Sequence, residues 1–383
     1  MSNRQKFKKL ICTVTFIIIF CLSYSCTKKD EWKGTIEHNN GITVVINPKD
    51  PIYASNIFEL NEELTIGLND NKTNEPFFHQ ILPYRSIETD NNNNIYVLDY
   101  KADQVLAFNQ NGKFILSFGK EGQGPGEFQT PDCLYVLSEK KIMIYDSVNK
   151  KISFFTFEGN LIEDISMAEF PQLFRPFPDS EGNIFGSTIV SEEIKKYELF
   201  KIYPNTKSKI KIASLETKRV FYQGTLNLFT PQLFYDVFRN DKIIWGSQTK
   251  YELNVSDRNG EIIQKIIKKY DPIPISEADK ENRIKDLFPN TTLPSSIKIE
   301  SPKYFWPFYL ITSDDKGRIF VQTREKIDEA GYIYDVFDSQ GKYIVKIIIK
   351  GYPILWKKGK LYTVEDDENG NPIVKRYDVK WKH

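Results

Sequence analysis

A single short pattern recurs six times along the chain, and it limits the possible folds more than any other feature. A turn of Asp, Asn, Gly or Lys launches an apolar pair that ends on another polar residue. The copies are NNIYVLD at 93–99, KKIMIYD at 140–146, GNIFGS at 182–187, DKIIWG at 241–246, GRIFVQ at 317–322 and GKLYTV at 359–364. Each reads as a short strand leaving a tight turn. Partner strands follow, such as QVLAFNQNG at 104–112 and IYDVFDSQG at 333–341, and many are closed by a third run, such as KFILSF at 113–118. Their Asn-Gly and Gln-Gly tips supply the positive φ that tight hairpins require.

Measured at Ile95, Ile142, Ile184, Ile243, Ile319 and Leu361, the copies are spaced by 47, 42, 59, 76 and 42 residues. Four-stranded units at about 40–50 residues are the signature of a β-propeller, so six copies predict six blades. The last unit stops near Asp378, short of an outer strand, while GITVVI at 41–46 has no blade of its own. A ring closes only when no edge is left open. The expectation is therefore an all-β, six-bladed propeller of four-stranded blades over 41–383, closed by the strand at 41–46.

One interval is long because of an insertion at about 268–302. Within it, Ser276 and Asp279 suit a helix start, and Ile284, Leu287 and Phe288 make a narrow apolar stripe. The expectation is one short helix, lying over the ring as a lid or docking surface. The aromatic run KYFWPFY at 303–309 reads as core leading into an inner strand.

The first 26 residues concern location rather than fold. Arg4, Lys6, Lys8 and Lys9 precede an apolar stretch at 10–22, and Ser-Tyr-Ser leads to Cys26. A basic flank, a short apolar core and small residues make a secretory signal, and about 13 apolar residues are too few to span a bilayer comfortably. The ending resembles a bacterial lipoprotein box, which implies a signal peptide at 1–25, lipid on Cys26 and a tether at 26–40. The Lys29-Asp30-Glu31 run resembles the surface-export signal of Bacteroidetes lipoproteins.

Removal of residues 1–25 leaves 48 Lys and Arg against 51 Asp and Glu, which gives no electrostatic case for nucleic acid. Cys12 and Cys21 depart with the signal and Cys26 carries lipid, so Cys133 is the one remaining thiol and no disulfide or cysteine-based zinc site follows.

Between the first two units lies FGKEGQGPGEFQTP at 118–131. This resembles the inter-blade crossing of NHL-type propellers, in which Phe128 would plug the gap between blades. A phosphate-binding reading of Gly122, Gly124 and Gly126 fails because Pro125 and Pro131 bracket another strand rather than a helix. With the lipoprotein start, the chain resembles the six-bladed propeller lipoproteins of Bacteroidetes, and NHL-like propellers serve on the whole as interaction platforms.

Chemistry is sparsely signalled. The only histidines are His38, His79 and His383, which offer neither a metal pair nor a triad. Aligning the units sets Glu88 of the first blade opposite Asp236 of the fourth, and two carboxylates across a channel can bind a cation or a sugar, or act as acid and base. Arg85, Arg175 and Tyr235 are the other ligand-binding candidates on inner strands. The resulting expectation is a non-enzymatic outer-membrane or surface lipoprotein that binds an envelope protein or a glycan. No cofactor is required, although a divalent cation such as calcium would suit the carboxylates. The alternative is a hydrolase or lyase with a cation-assisted site in the channel.

Overall fold

In the computed structural model of the chain, residues 31–54, 57–68, 76–137, 141–191, 194–238, 240–327 and 331–382 are described. The signal segment and Cys26 lie outside them. The six repeats become six antiparallel sheets, and the apolar residue marking each repeat sits on the second strand, buried to within 1%. Sheet 1 runs Ile87–Thr89, Ile95–Asp99, Gln104–Phe108 and Phe114–Phe118. Sheets 2 and 3 occupy Pro131–Leu137 through Leu161–Ser166, and Phe174–Pro178 through Ser208–Thr217. Sheet 4 spans Leu233–Phe238, Lys242–Ser247, Glu252–Ser256 and Ile262–Lys268, and sheet 5 spans Phe308–Ser313, Ile319–Ile327, Gly331–Phe337 and Tyr343–Ile349. Sheet 6 begins with Tyr352–Lys357, Lys360–Asp366 and Pro372–Trp381.

The hairpins share a local cause. Asp90, Asp179, Asp257, Asp314, Asp338 and Asp367 each accept hydrogen bonds at Oδ1 from the backbone N–H groups two and four residues on, at 2.7–3.0 Å. An aspartate that binds its own backbone in this way sets the turn before the strands pair.

Apolar faces of successive sheets pack against one another all the way round. One cluster joins sheets 1 and 2, another joins 2, 3 and 4, and further clusters join 4 to 5, 5 to 6 and 6 back to 1. The sheets therefore close into a ring. Phe128 is fully buried in the first of these clusters, as the plug reading expects. The crossing needs glycine at 119, where φ is +88° and a Cβ would overlap the Phe128 ring.

Closure uses an N-terminal strand, but not the one expected. The outer strand of sheet 6 is Phe58–Ile66, antiparallel to Pro372–Trp381. The strand Ile42–Asn47 instead adds in parallel to Ile262–Lys268 of sheet 4, and Thr35–Asn39 turns back on it as a sixth strand. The tether expected to reach residue 40 is thus already folded from Thr35. Between these strands, the N–H groups of Ile52 and Tyr53 donate to the carbonyls of Tyr343 and Ile344 on the outer strand of sheet 5. One N-terminal strap therefore ties the outer edges of sheets 4, 5 and 6. The physical reason for the correction is span: pairing at 42–47 leaves enough chain to pass sheet 5 and bring the nine residues Phe58–Ile66 to the open edge of sheet 6.

The insertion contains the helix Glu277–Leu287, started by a reciprocal Ser276–Asp279 capping box. Its later segment Lys298–Glu300 pairs in parallel with Thr225–Asn227, so a second insertion before sheet 4 meets the first. That second insertion accounts for the spacing of 59.

Candidate functional site

Sheets 1 and 4 stand diametrically opposite in the ring, and an ion pair spans the channel between them. It joins Arg85 to Asp236. Asp236 Oδ2 also accepts hydrogen bonds from Ser313 of sheet 5, from N at 2.8 Å and Oγ at 3.1 Å. Glu88, placed opposite Asp236 by the repeat alignment, turns instead to Lys357 Nζ of sheet 6 at 2.8 Å. The expected pair of facing carboxylates is therefore replaced by two carboxylates that each have their own cation. Residues 85 and 175 both adopt left-handed backbone angles, φ 45° and 49°. The Arg175 guanidinium lies over Tyr84 at 4.9 Å and Phe234 at 5.4 Å. The Tyr235 hydroxyl accepts from Ser187 N at 2.8 Å and bonds the Phe174 carbonyl, and burial pushes this phenol up to about 12.

Glu88, Arg175, Tyr235 and Asp236 lie on inner strands, whereas Arg85 sits in the bend just before Ile87–Thr89, and the five are engaged with one another or with neighbouring sheets. The space among Arg85, Arg175, Tyr235 and Asp236 is only about 40 Å³. Among the described residues, no three His, Cys, Asp or Glu side chains converge as a cation site. Each channel carboxylate is already neutralised by a side-chain cation on another blade, so the pair does not fit a divalent ion.

Space is available elsewhere. A cleft of about 800 Å³ opens between sheets 4 and 5 under the N-terminal strap. Its floor is a buried polar knot. Asp335, wholly buried on the third strand of sheet 5, accepts hydrogen bonds from the hydroxyls of Tyr251 and Tyr343, each at 2.5 Å, and faces Lys268 Nζ at 3.3 Å. Lys268 also lies over both rings, at 5.1 and 4.7 Å. Burial and the adjacent Asp335 carboxylate hold both phenols well above their ordinary range, so they serve as neutral donors. The knot ties sheet 4 to sheet 5.

Tyr53 and Phe58 from the strap, Tyr270 from the insertion, and Phe305 and Trp306 before sheet 5 line the walls of this cleft. Lys49 pairs with Asp271, and Lys346 with Glu325 at 2.6 Å. Arg324 sits on the wall shared with a second cavity of about 380 Å³, which lies beneath the helix and is lined by Asp279, Arg283 and Gln232.

The ladder of sheet 5 is interrupted on both sides of Arg324. Its register with the inner strand shifts between Phe308 and Leu310, and its register with the third strand shifts between Gln322 and Lys326. Bulges of this kind re-aim side chains. Here the guanidinium lies against Tyr309 at 3.8 Å and Phe305 at 4.3 Å.

Comparison with known proteins accords with this geometry. Residues 83–225 match a family, DUF5128, described as a 6-bladed beta-propeller. The chain is a six-bladed β-propeller. A Bacteroides fragilis protein described as exported superposes with a TM-score of 0.54 at 14% identity, covering 89% of this chain and all of that one. A member of the DUF4221 family from Bacteroides vulgatus gives a TM-score of 0.50 at 12% identity, covering 85% and 99%. These likenesses concern the propeller fold alone. No protein of curated function matches the sequence. No helix among the described residues is long and apolar enough to cross a membrane.

The blade 4–blade 5 cleft has no signature in the sequence because its lining comes from seven separated segments. One local signal lies in the aromatic run at 303–309: Phe305 and Phe308 are buried as core residues, while Tyr304 is exposed. Trp306, in contrast, is only half-buried and faces the cleft.

Proposed function

We propose that this propeller is a cell-envelope lipoprotein, anchored through Cys26, that binds a glycan in the cleft between blades 4 and 5. The observation carrying the binding reading is the cleft itself: concave, about 800 Å³, and walled by Tyr53, Phe58, Tyr270, Phe305 and Trp306. Ligand sites are mostly apolar and aromatic with a few placed polar groups, and fall in this size range. Flat aromatic faces suit the C–H faces of sugar rings, and a concave site of this size is less suited to the broad surface of a protein partner. The floor favours binding over chemistry, because Asp335 already accepts two phenols and a lysine while both tyrosines keep their protons. The lipoprotein start supports the location, as does the description of the Bacteroides fragilis neighbour as exported.

Two measurements test this. An oligosaccharide array probed with the full-length protein in detergent should show saturable binding that is lost on Trp306→Ala. Binding to envelope proteins alone, with a silent array, would replace the glycan by a protein partner. Separately, Cys26→Ser should move the protein from the membrane fraction to the soluble fraction; continued membrane association would refute the anchor.

A further inference from the structure

The charges around the cleft do not cancel evenly. Three of its cations are paired within the protein: Lys49 with Asp271, Lys268 with Asp335, and Lys346 with Glu325. Arg324 has no carboxylate within ion-pair distance among the described residues, and its Nε is buried without a hydrogen-bond partner. Three of the nearby acids are engaged elsewhere. Glu325 holds Lys346 with both oxygens, Asp335 belongs to the floor, and Asp279 accepts from Ser276 N at 3.0 Å and Oγ at 2.6 Å in the helix cap. Asp286 and Asp50 are exposed.

A guanidinium in this position is incompletely solvated. Burial pulls Arg324 down to about 10 against the opposing charge of Asp279, with Arg283 adding a smaller push in the same direction as burial, and it remains charged at neutral pH. Two rings fix its plane, so little side-chain freedom is lost when a ligand arrives. Its fork presents several donors in one plane, a geometry matched to a carboxylate or sulfate. Both cavities open onto it, and the two register shifts in blade 5 aim it there rather than into the ladder.

We infer that the ligand is an acidic saccharide and that Arg324 binds its carboxylate or sulfate group while sugar rings lie along Tyr270 and Trp306. This rests on the glycan-binding reading above and adds its charge. Arg324 therefore sets specificity between acidic and neutral chains of the same sugar.

The test uses matched pairs: tetragalacturonate with its methyl ester, and a sulfated galactan tetramer with its desulfated form, each titrated against the full-length protein. One acidic member should bind about ten- to hundredfold tighter than its neutral partner, the range expected for a charge-assisted, partly buried pair. The carboxylate pair and the sulfate pair distinguish the two oxyanions. Arg324→Gln should erase the preference, and Arg324→Lys should keep part of it. Equal binding of acidic and neutral members, or a preference that survives Arg324→Gln, would overturn the inference and leave the glycan reading standing. Silence from every member would overturn both. If Arg324→Gln does not fold, wild-type protein decides: the acidic preference must shrink as salt rises from 50 to 500 mM, and a salt-independent preference would count against it.

Discussion

Arg85 and Asp236 meet across the centre of the ring, joining two blades that are three positions apart in the cycle. The contact is largely shielded, with the carboxylate side chain 7% exposed, and Ser313 brings blade 5 into the same group. A feature that looked like ligand chemistry therefore acts as a cross-brace for the inner strands.

Its removal should be costly. Arg85→Met leaves a buried carboxylate without its cation, and the expected loss is about 3–5 kcal/mol. Adding Asp236→Asn should restore part of that loss, because the uncompensated charge is gone. Urea denaturation of the wild type, both single variants and the double variant gives the coupling directly. Additive effects would mean that the brace carries no energy.

Asn47 is a second, smaller fastening. Its Oδ1 accepts from Tyr343 N at 2.7 Å, and its Nδ2 donates to the Gly341 carbonyl at 2.9 Å, so a side chain of the strap completes the backbone of blade 5. Asn47→Ala should lower stability by about 2–3 kcal/mol, since two buried backbone groups lose partners. A shift in the urea midpoint with unchanged slope is the expected reading.

Closure separates the two N-terminal strands experimentally. Deleting Phe58–Ile66 exposes the edge of Pro372–Trp381, and the product should aggregate or lose cooperative melting. Deleting Thr35–Asn47 removes two outer strands of blade 4 and the Asn47 fastening to blade 5 but no blade-closing strand, and the ring should survive with a lower melting temperature. The reverse ranking would contradict the observed pairing.

The pH dependence has a defined sign. Burial pushes the Asp132 carboxyl up to about 6, above its value of about 4 in an unfolded chain. The native state then binds this proton more tightly, so the contribution of Asp132 to stability falls as pH rises from about 4 to about 6, and stays low above. Asp132→Asn should therefore stabilise the protein at pH 8, by up to about 2–3 kcal/mol, and give no advantage near pH 3.5. A pH-independent difference would show that Asp132 is not strained by burial.

Six strand-launching repeats, their Asx and glycine turns, the helix cap at Ser276 and the Phe128 crossing were all legible in the chain. Each depends on residues within about a dozen positions of one another, where alternation and turn chemistry act before any blade has met its neighbour. Three features were not legible: which N-terminal strand closes the ring, why Arg85 rather than Glu88 reaches Asp236, and where the cleft opens. Ile42–Asn47 and Phe58–Ile66 are both plausible edge strands, and span and blade packing choose between them. The cleft joins Tyr53, Tyr270, Trp306, Arg324 and Asp335, which no periodicity links. Short-range backbone and side-chain preferences therefore specify the blades, whereas the site arises from the packing of finished blades and a strap that crosses three of them, a long-range geometry with no local signature.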